Sequence, residues 1–404
     1  MLKRTVFPFI ALVIFGPLVL ARGARAADPT QPTTGRWTSF GNGPAHSGFY
    51  PATIGAATPV PGWTKSYSPT AINQVVISDG RVFVSSNGTN DYTYPYPQAN
   101  PFILALDETT GAELWRVPGF YMTHMTVGDT HLYSAGFETN LLALRVADGT
   151  IEWMRDNYDY SGPPGVVGDR LSASATSGVA QFRISDNTPQ IGGNLIFAGY
   201  DCRHSVSEGT FYIRDPRNFI ATDTASGGRL WSIPISQDSQ GSYDNDIPAV
   251  AEGRAAFAGD ASRRVITVDL KTKKVLWSIL GTYPNYYFYP VANDGSAVYV
   301  VVNRGIDAYA AATGELLGRY DFARGTQSDP KNNPLPDSQP IVTNDAVIVA
   351  TAATTFIFDK ATFQLRTELP TGGYLSYTRG VLYVAESGGK LSTFHFPDAT
   401  EPPP

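Results

Sequence analysis

A short phrase recurs along this chain and constrains its fold more than any other feature. In each copy an apolar strand leads into a short polar turn, and a second strand follows that carries tryptophan in the clearest copies. Four clear copies and two weaker ones lie at residues 102–115, 141–153, 219–231, 265–277, 306–318 and 355–369. A repeat of about 40–50 residues built from short strands and turns is typical of the blades of a β-propeller.

Polar turns that follow short apolar segments give the number of blades. They lie at residues 78–80, 127–129, 167–169, 191–193, 251–253, 293–295, 343–345 and 378–380. Each turn joins the first two strands of a blade, whose four strands are called A to D from the channel outwards. The sequence therefore predicts an all-β, eight-bladed propeller. Residues 162–189 leave an alternative open, because they are either a degenerate third blade or an insertion in a seven-bladed ring.

The two ends of the chain predict how the ring closes. The last unit, residues 373–396, supplies strands A, B and C but no strand D. Residues 35–41 near the N-terminus carry Trp37, where a D-strand tryptophan is expected. We therefore predict that the ring is closed by this N-terminal strand, which would cover an open sheet edge.

The N-terminus predicts export. Lys3 and Arg4 precede an apolar run with two prolines, and Ala24-Arg25-Ala26 fits a signal-peptidase site. We expect a Sec-type signal peptide at residues 1–26, a propeller at 27–397 and a disordered tail at 398–404. No cysteine lies near the cleavage site for lipid attachment, so we expect a secreted or periplasmic protein without an integral membrane segment after signal removal.

Net charge narrows the class of partner, and cysteine content limits what can stabilise the fold. The chain has 36 acidic against 30 basic residues, a net charge of −6, which disfavours nucleic acid as a partner. Cys202 is the single cysteine, so stability must come from the core and not from an internal disulfide. We expect a monomer whose partner is a protein or a carbohydrate.

The phrase A-x-D-x-x-T-G-x-x-x-W and the opening WTSFGNGPAHSGFY (residues 37–50) resemble the pyrroloquinoline-quinone (PQQ) type of propeller repeat. This resemblance covers nearly the whole mature chain. It implies a family that includes quinone-dependent alcohol and sugar dehydrogenases, and also cofactor-free propellers such as the scaffold lipoprotein of bacterial outer-membrane protein assembly.

The resemblance to the enzymes has clear gaps. They hold the quinone at the ring axis, on a tryptophan and under a disulfide between adjacent cysteines, with Ca²⁺ bound by Glu, Asn and Asp. Cys202 cannot form that disulfide, and the tryptophans of the repeat occupy positions expected to pack blades together. We therefore expect no cofactor, with PQQ and Ca²⁺ as the alternative.

Candidate site residues come from the predicted A strands, because these strands line the channel of a propeller. Aligning the turns places His124 at a position where proline is the usual residue, in four of the eight blades. The adjacent ring position is polar or aromatic in several blades, which suits a polar small molecule or a water-filled channel. The axial candidates are Gln74, His124, Tyr289, Gln339 and Tyr374.

Two further segments are candidates for chemistry. Asp244 and Asp246 lie on a predicted turn and could bind Ca²⁺, although acidic residues also simply favour turns. Residues 201–217 are predicted to be an expanded loop between strands B and C of the fourth blade, either capping one face or solvated. This loop would carry Arg203, His204, Glu208, Arg214 and Arg217.

Two tyrosine-rich segments predict a binding surface. Exposed aromatic side chains on a proline-containing backbone are common where proteins bind partners, and packing over the next blade is the alternative. The candidate partner-binding residues are Tyr92, Tyr94, Tyr96, Tyr286 and Tyr287.

The leading hypothesis is an exported propeller that binds a protein or glycan partner through one face. The alternative is an oxidoreductase with PQQ and Ca²⁺ in the axial pocket, in which His124 or Asp246 acts as base and Arg203 or Arg214 assists. A third possibility is glycan processing, with Tyr289 or Tyr374 and His124 as acid and base. The sequence does not choose among substrates or partners.

Overall fold

The structure of this chain is a computed structural model. It describes residues 35–68, 70–89, 101–119, 124–136, 141–155, 162–175, 178–185, 204–214, 217–235, 247–259, 264–280, 290–302, 305–322 and 338–401. No helix in these ranges is long and apolar enough to cross a membrane. The signal segment predicted at residues 1–26 lies outside them.

Eight small antiparallel sheets form a ring, so the prediction of an eight-bladed propeller is confirmed. Blades 1 to 4 contain β2 (Thr70–Ser78), β3 (Arg81–Thr89), β4 (Phe102–Asp107), β5 (Glu113–Pro118); β6 (His124–Val127), β7 (His131–Ala135), β8 (Leu141–Arg145), β9 (Ile151–Arg155); β10 (Gly165–Val167), β11 (Arg170–Ala175), β12 (Gly178–Arg183); and β13 (His204–Ser207), β14 (Thr210–Arg214), β15 (Asn218–Asp223), β16 (Arg229–Pro234).

Blades 5 to 8 repeat the same order of strands. They contain β17 (Ala249–Ala251), β18 (Arg254–Gly259), β19 (Arg264–Asp269), β20 (Lys274–Leu280); β21 (Val291–Asn293), β22 (Ala297–Val302), β23 (Gly305–Ala310), β24 (Leu316–Asp321); β25 (Ile341–Val342), β26 (Ala346–Ala350), β27 (Thr355–Asp359), β28 (Leu365–Leu369); and β29 (Tyr374–Thr378), β30 (Val381–Ala385), β31 (Lys390–His395) with β1 (Val60–Ser66).

The ring closes through an N-terminal strand, as predicted, but not through the predicted one. The closing strand is β1, which pairs antiparallel with β31 and carries Trp63 in the outermost strand of blade 8. Residues 35–41, with Trp37, lie instead against β2 and β6. Two tryptophans precede the first blade, and the prediction chose the one that lies closer to the N-terminus.

Blades 3 and 4 resolve the question that the sequence left open. Residues 162–185 form a true third blade, with three strands among the residues described. The A–B turn predicted at residues 191–193 is wrong, because blade 4 begins at β13 and turns at Glu208 and Gly209. Residues 201–217 are therefore not a B–C loop, since most of them build the first two strands of blade 4.

The recurring phrase has a local structural cause at its turn. In copies 1, 4 and 6 the acidic side chain accepts hydrogen bonds from the backbone N–H and the hydroxyl of a threonine three residues later. The pairs are Asp107–Thr110, Asp269–Thr272 and Asp359–Thr362, with distances of 2.6–2.9 Å. These bonds pre-form the C–D turn, and they hold the pKa of each aspartate below its usual value.

The tryptophan and the glycine of the phrase join neighbouring blades. The Trp115 indole N–H donates to the Val146 carbonyl of blade 2 at 3.0 Å. Its ring lies over Gly149, where an added Cβ would be 2.6 Å from the Trp115 ring. Trp277 and Gly314 repeat this arrangement between blades 5 and 6. The phrase is therefore an inter-blade packing device, not a catalytic motif.

Candidate functional site

The A strands form an inner wall around the axis of the ring. Each contacts the A strand of the next blade, from β2 through β29 and back to β2. Side chains tie these strands together: Asn293 donates to the Ala249 carbonyl at 3.1 Å, and Ser376 donates to the Val75 carbonyl at 2.7 Å. The centre of this wall is the place where a propeller of this shape can hold a ligand.

The chain fills that centre with its own N-terminal region. Residues 35–55, called here the axial segment, run along the inner wall and accept backbone hydrogen bonds from six blades at 2.7–2.9 Å. The donors are the N–H groups of Ile77, Val127, Val206, Val250, Asn293 and Val342, and the acceptors are the carbonyls of Trp37, Thr38, Pro44, Ala45, Ser47 and Gly48.

These six donors occupy one equivalent position. Each is the residue immediately before the one that closes the A–B turn of its blade, as Ile77 precedes Ser78 and Val250 precedes Ala251. An innermost strand has N–H groups with no neighbouring strand on the axial side, and a buried unpaired N–H is costly. The axial segment satisfies these groups, so it closes the channel at the end where the A–B turns lie.

Glycine makes the close approach of the axial segment possible. Gly41 has φ of 64°, and an added Cβ would lie 2.0 Å from the Gln339 Oε1 atom. Gly48 has φ of 69°, and its Cβ would lie 2.7 Å from the Pro340 carbonyl oxygen. Residues 41–48 are held as one loop by the Gly48 N–H, which donates to the Gly41 carbonyl at 2.8 Å.

The axial segment is also tied to the C-terminal end of the described chain. The Tyr50 hydroxyl donates to Glu401 Oε2 at 2.6 Å and accepts from the Gly35 N–H at 2.8 Å. Thr53 and Thr400 exchange backbone hydrogen bonds. Ordered contacts therefore continue past the predicted end of the propeller at residue 397. Burial raises the pKa of Tyr50, so its hydroxyl stays protonated.

Two predicted axial residues join blades instead of facing an open pocket. The Gln74 amide exchanges hydrogen bonds with the backbone of Met125 in blade 2. The Gln339 amide nitrogen donates to the Val291 carbonyl of blade 6 at 2.6 Å and to the His46 carbonyl at 2.7 Å. Both side chains are buried, and their polar groups connect the A strands with each other and with the axial segment.

His124 lies one register position away from its predicted alignment. The turn of blade 2 is closed by Gly128 and His131, so His124 is equivalent to Gln74, Gln339 and Tyr374. Its ring is in edge contact with Phe40 of the axial segment, with 6.4 Å between ring centroids. The prediction shifted the A strand of blade 2 by one residue, because it aligned Val127 and not Gly128 with the turn.

A small cavity remains above the axial segment. It measures about 20 Å³, room for about one water molecule. Its lining includes Trp37, Phe40, Gln74, Gln339 and Tyr374. A tricyclic quinone does not fit a space of this size, and no acidic side chain lines it to bind Ca²⁺. The part of the axis that the structure describes therefore does not fit the cofactor of the related enzymes.

Two buried histidines lie beside this centre. The His46 Nδ1–H donates to the Phe40 carbonyl at 2.5 Å, and burial lowers the pKa of His46 to about 4. His204 contacts the hydroxyls of Ser172 and Ser174 at 2.6 and 2.7 Å, and burial lowers its pKa to about 3. Both imidazole rings are therefore neutral near pH 7.

The contacts at the axis leave the other predicted site residues untested. Arg214 is buried and donates to the Ala258 carbonyl at 3.4 Å. Within the described ranges no group of three or more His, Cys, Asp or Glu residues could hold a metal ion. The predicted residues that fall outside those ranges are Tyr92, Tyr94, Tyr96, Arg203, Asp244, Asp246, Tyr286, Tyr287 and Tyr289.

The axial segment is the feature that sequence reasoning missed. Its signal was present as glycines at 41, 43 and 48, with Pro44 between them, in a stretch that has neither strand nor helix periodicity. Such a stretch predicts a tight, turning backbone with few side chains to keep it away from a wall. What it packs against cannot be read locally, because its partners lie up to about 350 residues away.

Comparison with known proteins agrees with this geometry. A family model described as outer membrane protein assembly factor BamB matches residues 99–190 and 198–286. The quinohemoprotein alcohol dehydrogenase from Comamonas testosteroni superposes with a TM-score of 0.67 at 11% identity, covering 91% of this chain and 82% of its own. No curated protein sequence gives a significant match.

Two other solved structures have the same fold. A europium-containing methanol dehydrogenase has a TM-score of 0.64 at 11% identity, covering 89% of this chain and 98% of its own. The computationally designed Ika8 protein has a TM-score of 0.62 at 13% identity, covering 82% and 98%. Similarity at this level establishes fold alone.

The repeat and the ring together define a β-propeller. More particularly, the chain is an eight-bladed propeller, of which residues 99–190 and 198–286 match the assembly-factor family model.

Proposed function

We propose that this chain is an exported propeller that acts as a binding or scaffold protein and recognises a protein or glycan partner through one face. The observation that carries the proposal is the axial segment, which occupies the centre of the ring with backbone hydrogen bonds from six blades. A propeller whose channel is closed at one end by its own chain has its other surfaces left for recognition. The match to the assembly-factor family model supports the same class.

The recognising face would be the one formed by the D–A and B–C connections. The axial segment lies at the opposite end of the channel, beside the A–B turns. Loop aromatics at Tyr92, Tyr94, Tyr96, Tyr286 and Tyr287 would then provide the contact area, since aromatic side chains are common anchors of interfaces. Export would follow from cleavage after Ala26, and sequencing of the mature N-terminus tests that part directly.

The first experiment is thermal unfolding of the mature protein with and without PQQ and Ca²⁺. A ligand that binds the native state raises the melting temperature by mass action. We expect no shift at high ligand excess, because the axial cavity among the described residues is too small for the quinone. A saturable rise would contradict a cofactor-free propeller and would make His124 and Asp246 the first residues to substitute.

The second experiment tests recognition. The full chain is cross-linked in its own host, and the captured partner is identified and then compared between variants. We expect Tyr94→Ser, Tyr96→Ser and Tyr289→Ser together to abolish capture, while Leu114→Ser on the outer wall leaves it unchanged. Capture that is equal for the triple variant, with an unchanged melting temperature, would exclude this face.

A further inference from the structure

The outer D strands carry an irregularity at one equivalent position in several blades. The pairing register between strands C and D shifts immediately before the tryptophan position, which leaves one bulged residue. In blades 1, 4, 5 and 6 this residue is a leucine with 38–56% of its surface exposed. These bulged residues are Leu114, Leu230, Leu276 and Leu317.

Blades 2 and 7 have charged residues at the same position, and these residues are paired. Glu152 of blade 2 bonds Arg145 and His131, and Arg366 of blade 7 bonds Asp345 and Asp359. The outer wall therefore has paired charges in some sectors and exposed leucines in others. Three of the four leucines belong to consecutive blades, so they form one apolar sector over blades 4 to 6.

Unpaired cations surround the leucines of blades 4 and 5. Arg229 precedes Leu230, and Lys271, Lys273 and Lys274 lead into β20; all four side chains are exposed. None of them forms an ion pair with the residues that the structure describes. This positive charge stands out on a chain with a net charge of −6. Arg229, Leu230, Lys271, Lys273, Lys274, Val275 and Leu276 are called here the basic-leucine patch.

The edge of β20 adds a third element of recognition. β20 is the outermost strand of its sheet and pairs only with β19. Val275, Leu276 and Leu280 on this strand are 37%, 38% and 60% exposed. An outer strand offers a row of main-chain N–H and C=O groups that an extended peptide can pair with. Apolar side chains, positive charge and an outer strand edge therefore occur together on blade 5, and Arg229 and Leu230 lie on the D strand of the neighbouring blade 4.

We propose that the basic-leucine patch is a docking site for an extended segment of a protein partner in which acidic and apolar side chains alternate. This inference goes beyond the proposed recognition function, because it adds a second surface on the outer wall, away from the D–A and B–C connections. Acidic side chains would pair with the four cations, and apolar ones would cover Leu230 and Leu276. The segment's main chain would pair with the edge of β20.

The strand edge is the reason to choose a peptide over an anionic lipid surface. Lipid headgroups can neutralise lysines, and acyl chains can cover leucines. A lipid surface offers no ordered row of N–H and C=O groups to a strand edge, whereas an extended peptide does. The peptide therefore accounts for all three features of the patch, and the lipid accounts for two.

The test uses the full chain with leucine methyl groups labelled for NMR and a capped eight-residue peptide that alternates glutamate and valine as the probe. We expect saturable shifts of the Leu230 and Leu276 methyl signals. Affinity should fall about tenfold in the double variant Lys271→Glu with Lys274→Glu, since each removes an attractive charge and adds a repulsive one. It should also weaken with added salt.

The equivalent bulge of blade 1 provides the control variant, and three outcomes would overturn the proposal. Leu114→Ser changes the equivalent bulge of blade 1, beside Glu113, and should leave affinity unchanged. Equal binding of a lysine-valine peptide, or no loss in the double variant, would overturn the proposal. Binding to vesicles of phosphatidylglycerol and phosphatidylcholine without peptide binding would assign the patch to lipid and overturn it too.

A second pair of substitutions separates loss of binding from loss of folding, and the choice of probe separates this surface from the proposed function. Lys271→Ala with Lys274→Ala is the fallback if the charge-reversed pair fails to fold, and the same loss of peptide affinity, of smaller size, is expected. Because the probe binds or fails without any native partner, a negative result overturns this surface alone. The proposed recognition function is judged separately, by capture with the tyrosine variants.

Discussion

Gly318 and Phe363 exchange the roles that tryptophan and glycine have at other blade junctions. At the junctions of blades 8–1, 1–2 and 5–6, a tryptophan of one blade lies over a turn glycine of the next: Trp63 over Gly111, Trp115 over Gly149 and Trp277 over Gly314. Between blades 6 and 7, Gly318 stands in the tryptophan position, and Phe363 fills the space from the opposite turn. An added Cβ on Gly318 would lie 2.5 Å from the Phe363 ring.

This exchange predicts a coupled pair of substitutions. Phe363→Gly removes a ring that stacks on Phe358, and it should lower the free energy of unfolding by about 2–3 kcal/mol. Gly318→Trp alone should also destabilise, because the indole would overlap Phe363. The double variant restores the arrangement of the other junctions, so its loss should be at least about 1 kcal/mol smaller than the sum of the two. Urea unfolding measures all three, and simple additivity would contradict the exchange.

The contribution of the axial segment can be tested with two glycines that share the same backbone strain. Gly41 and Gly80 have φ of 64° and 78°, but an added Cβ meets Gln339 at Gly41 and nothing within 4 Å at Gly80. Gly80→Ala should cost about 1 kcal/mol for the left-handed backbone alone. Gly41→Ala should cost at least about 2 kcal/mol, because it also separates the axial segment from the wall.

Hydrogen exchange gives that comparison a local readout. If Gly41→Ala loosens the axial segment, the amides of Val250, Asn293 and Val342 should exchange faster than in Gly80→Ala. These amides donate to the axial segment and have no other partner in their own sheet on that side. Equal exchange in both variants would mean that the segment does not protect the ring.

An ionic clamp holds the end of the axial segment to blade 7. The Arg366 guanidinium bonds Asp345 and Asp359 at 3.0 and 2.7 Å and donates to the Gly55 carbonyl at 3.0 Å. Arg366→Leu should lower the free energy of unfolding by about 2 kcal/mol, since it leaves partly buried acceptors without their donor. Arg145→Leu is the matched control, because Arg145 is exposed and its guanidinium pairs only with Glu152 among the described residues, so its loss should cost much less.

The same substitution has a titration signature. Hydrogen bonding to Arg366 is the main cause that lowers the pKa of Asp359 to about 2. In Arg366→Leu that pKa should rise towards its ordinary value, while the bonds from Thr362 remain. Carboxyl NMR of Asp359 measures the change. An unchanged pKa would mean that the turn, and not the guanidinium, holds the carboxylate charged.

Local chemistry explains what could be predicted from the sequence. The turns and the Trp and Gly positions follow from hydrogen bonds and contacts that repeat in several copies of the phrase, so the blades could be counted. The register of His124 and the start of blade 4 could not, because Gly128 and residues 191–193 allow more than one turn alignment. Trp37 and Trp63 fit a D strand equally well, and only pairing with β31 distinguishes them.

The axial site was less predictable for a different reason. Gln74 and Gln339 were predicted as ligand contacts from polarity and position, and both do lie at the axis. Their amides bond main-chain groups of other blades, and one of these, the His46 carbonyl, belongs to the axial segment. Such bonds join residues that are distant in sequence. The type of a polar side chain does not reveal whether its hydrogen-bonding groups are paired with a ligand or with the protein itself.

The buried histidines predict how stability depends on pH. Their pKa values are about 4 for His46 and about 3 for His204 in the folded state, against about 6.5 in the unfolded chain. Between pH 6.5 and 4 the unfolded state therefore binds more protons than the folded state. The free energy of unfolding should be highest above pH 6.5 and should fall as the pH decreases, by up to about 1.4 kcal/mol per unit for each histidine.

Urea unfolding at several pH values between 4.5 and 7.5 measures this dependence. This window lies above the ordinary pKa of aspartate as well as above the folded pKa of Asp359, about 2, so Asp359 contributes little to the slope. His204→Gln should reduce the slope by up to about 1.4 kcal/mol per pH unit, because one histidine no longer gains a proton on unfolding. An identical slope in the His204→Gln variant would mean that His204 of the native chain gains its proton at the same pH in the folded and unfolded states, and would contradict the lowered pKa.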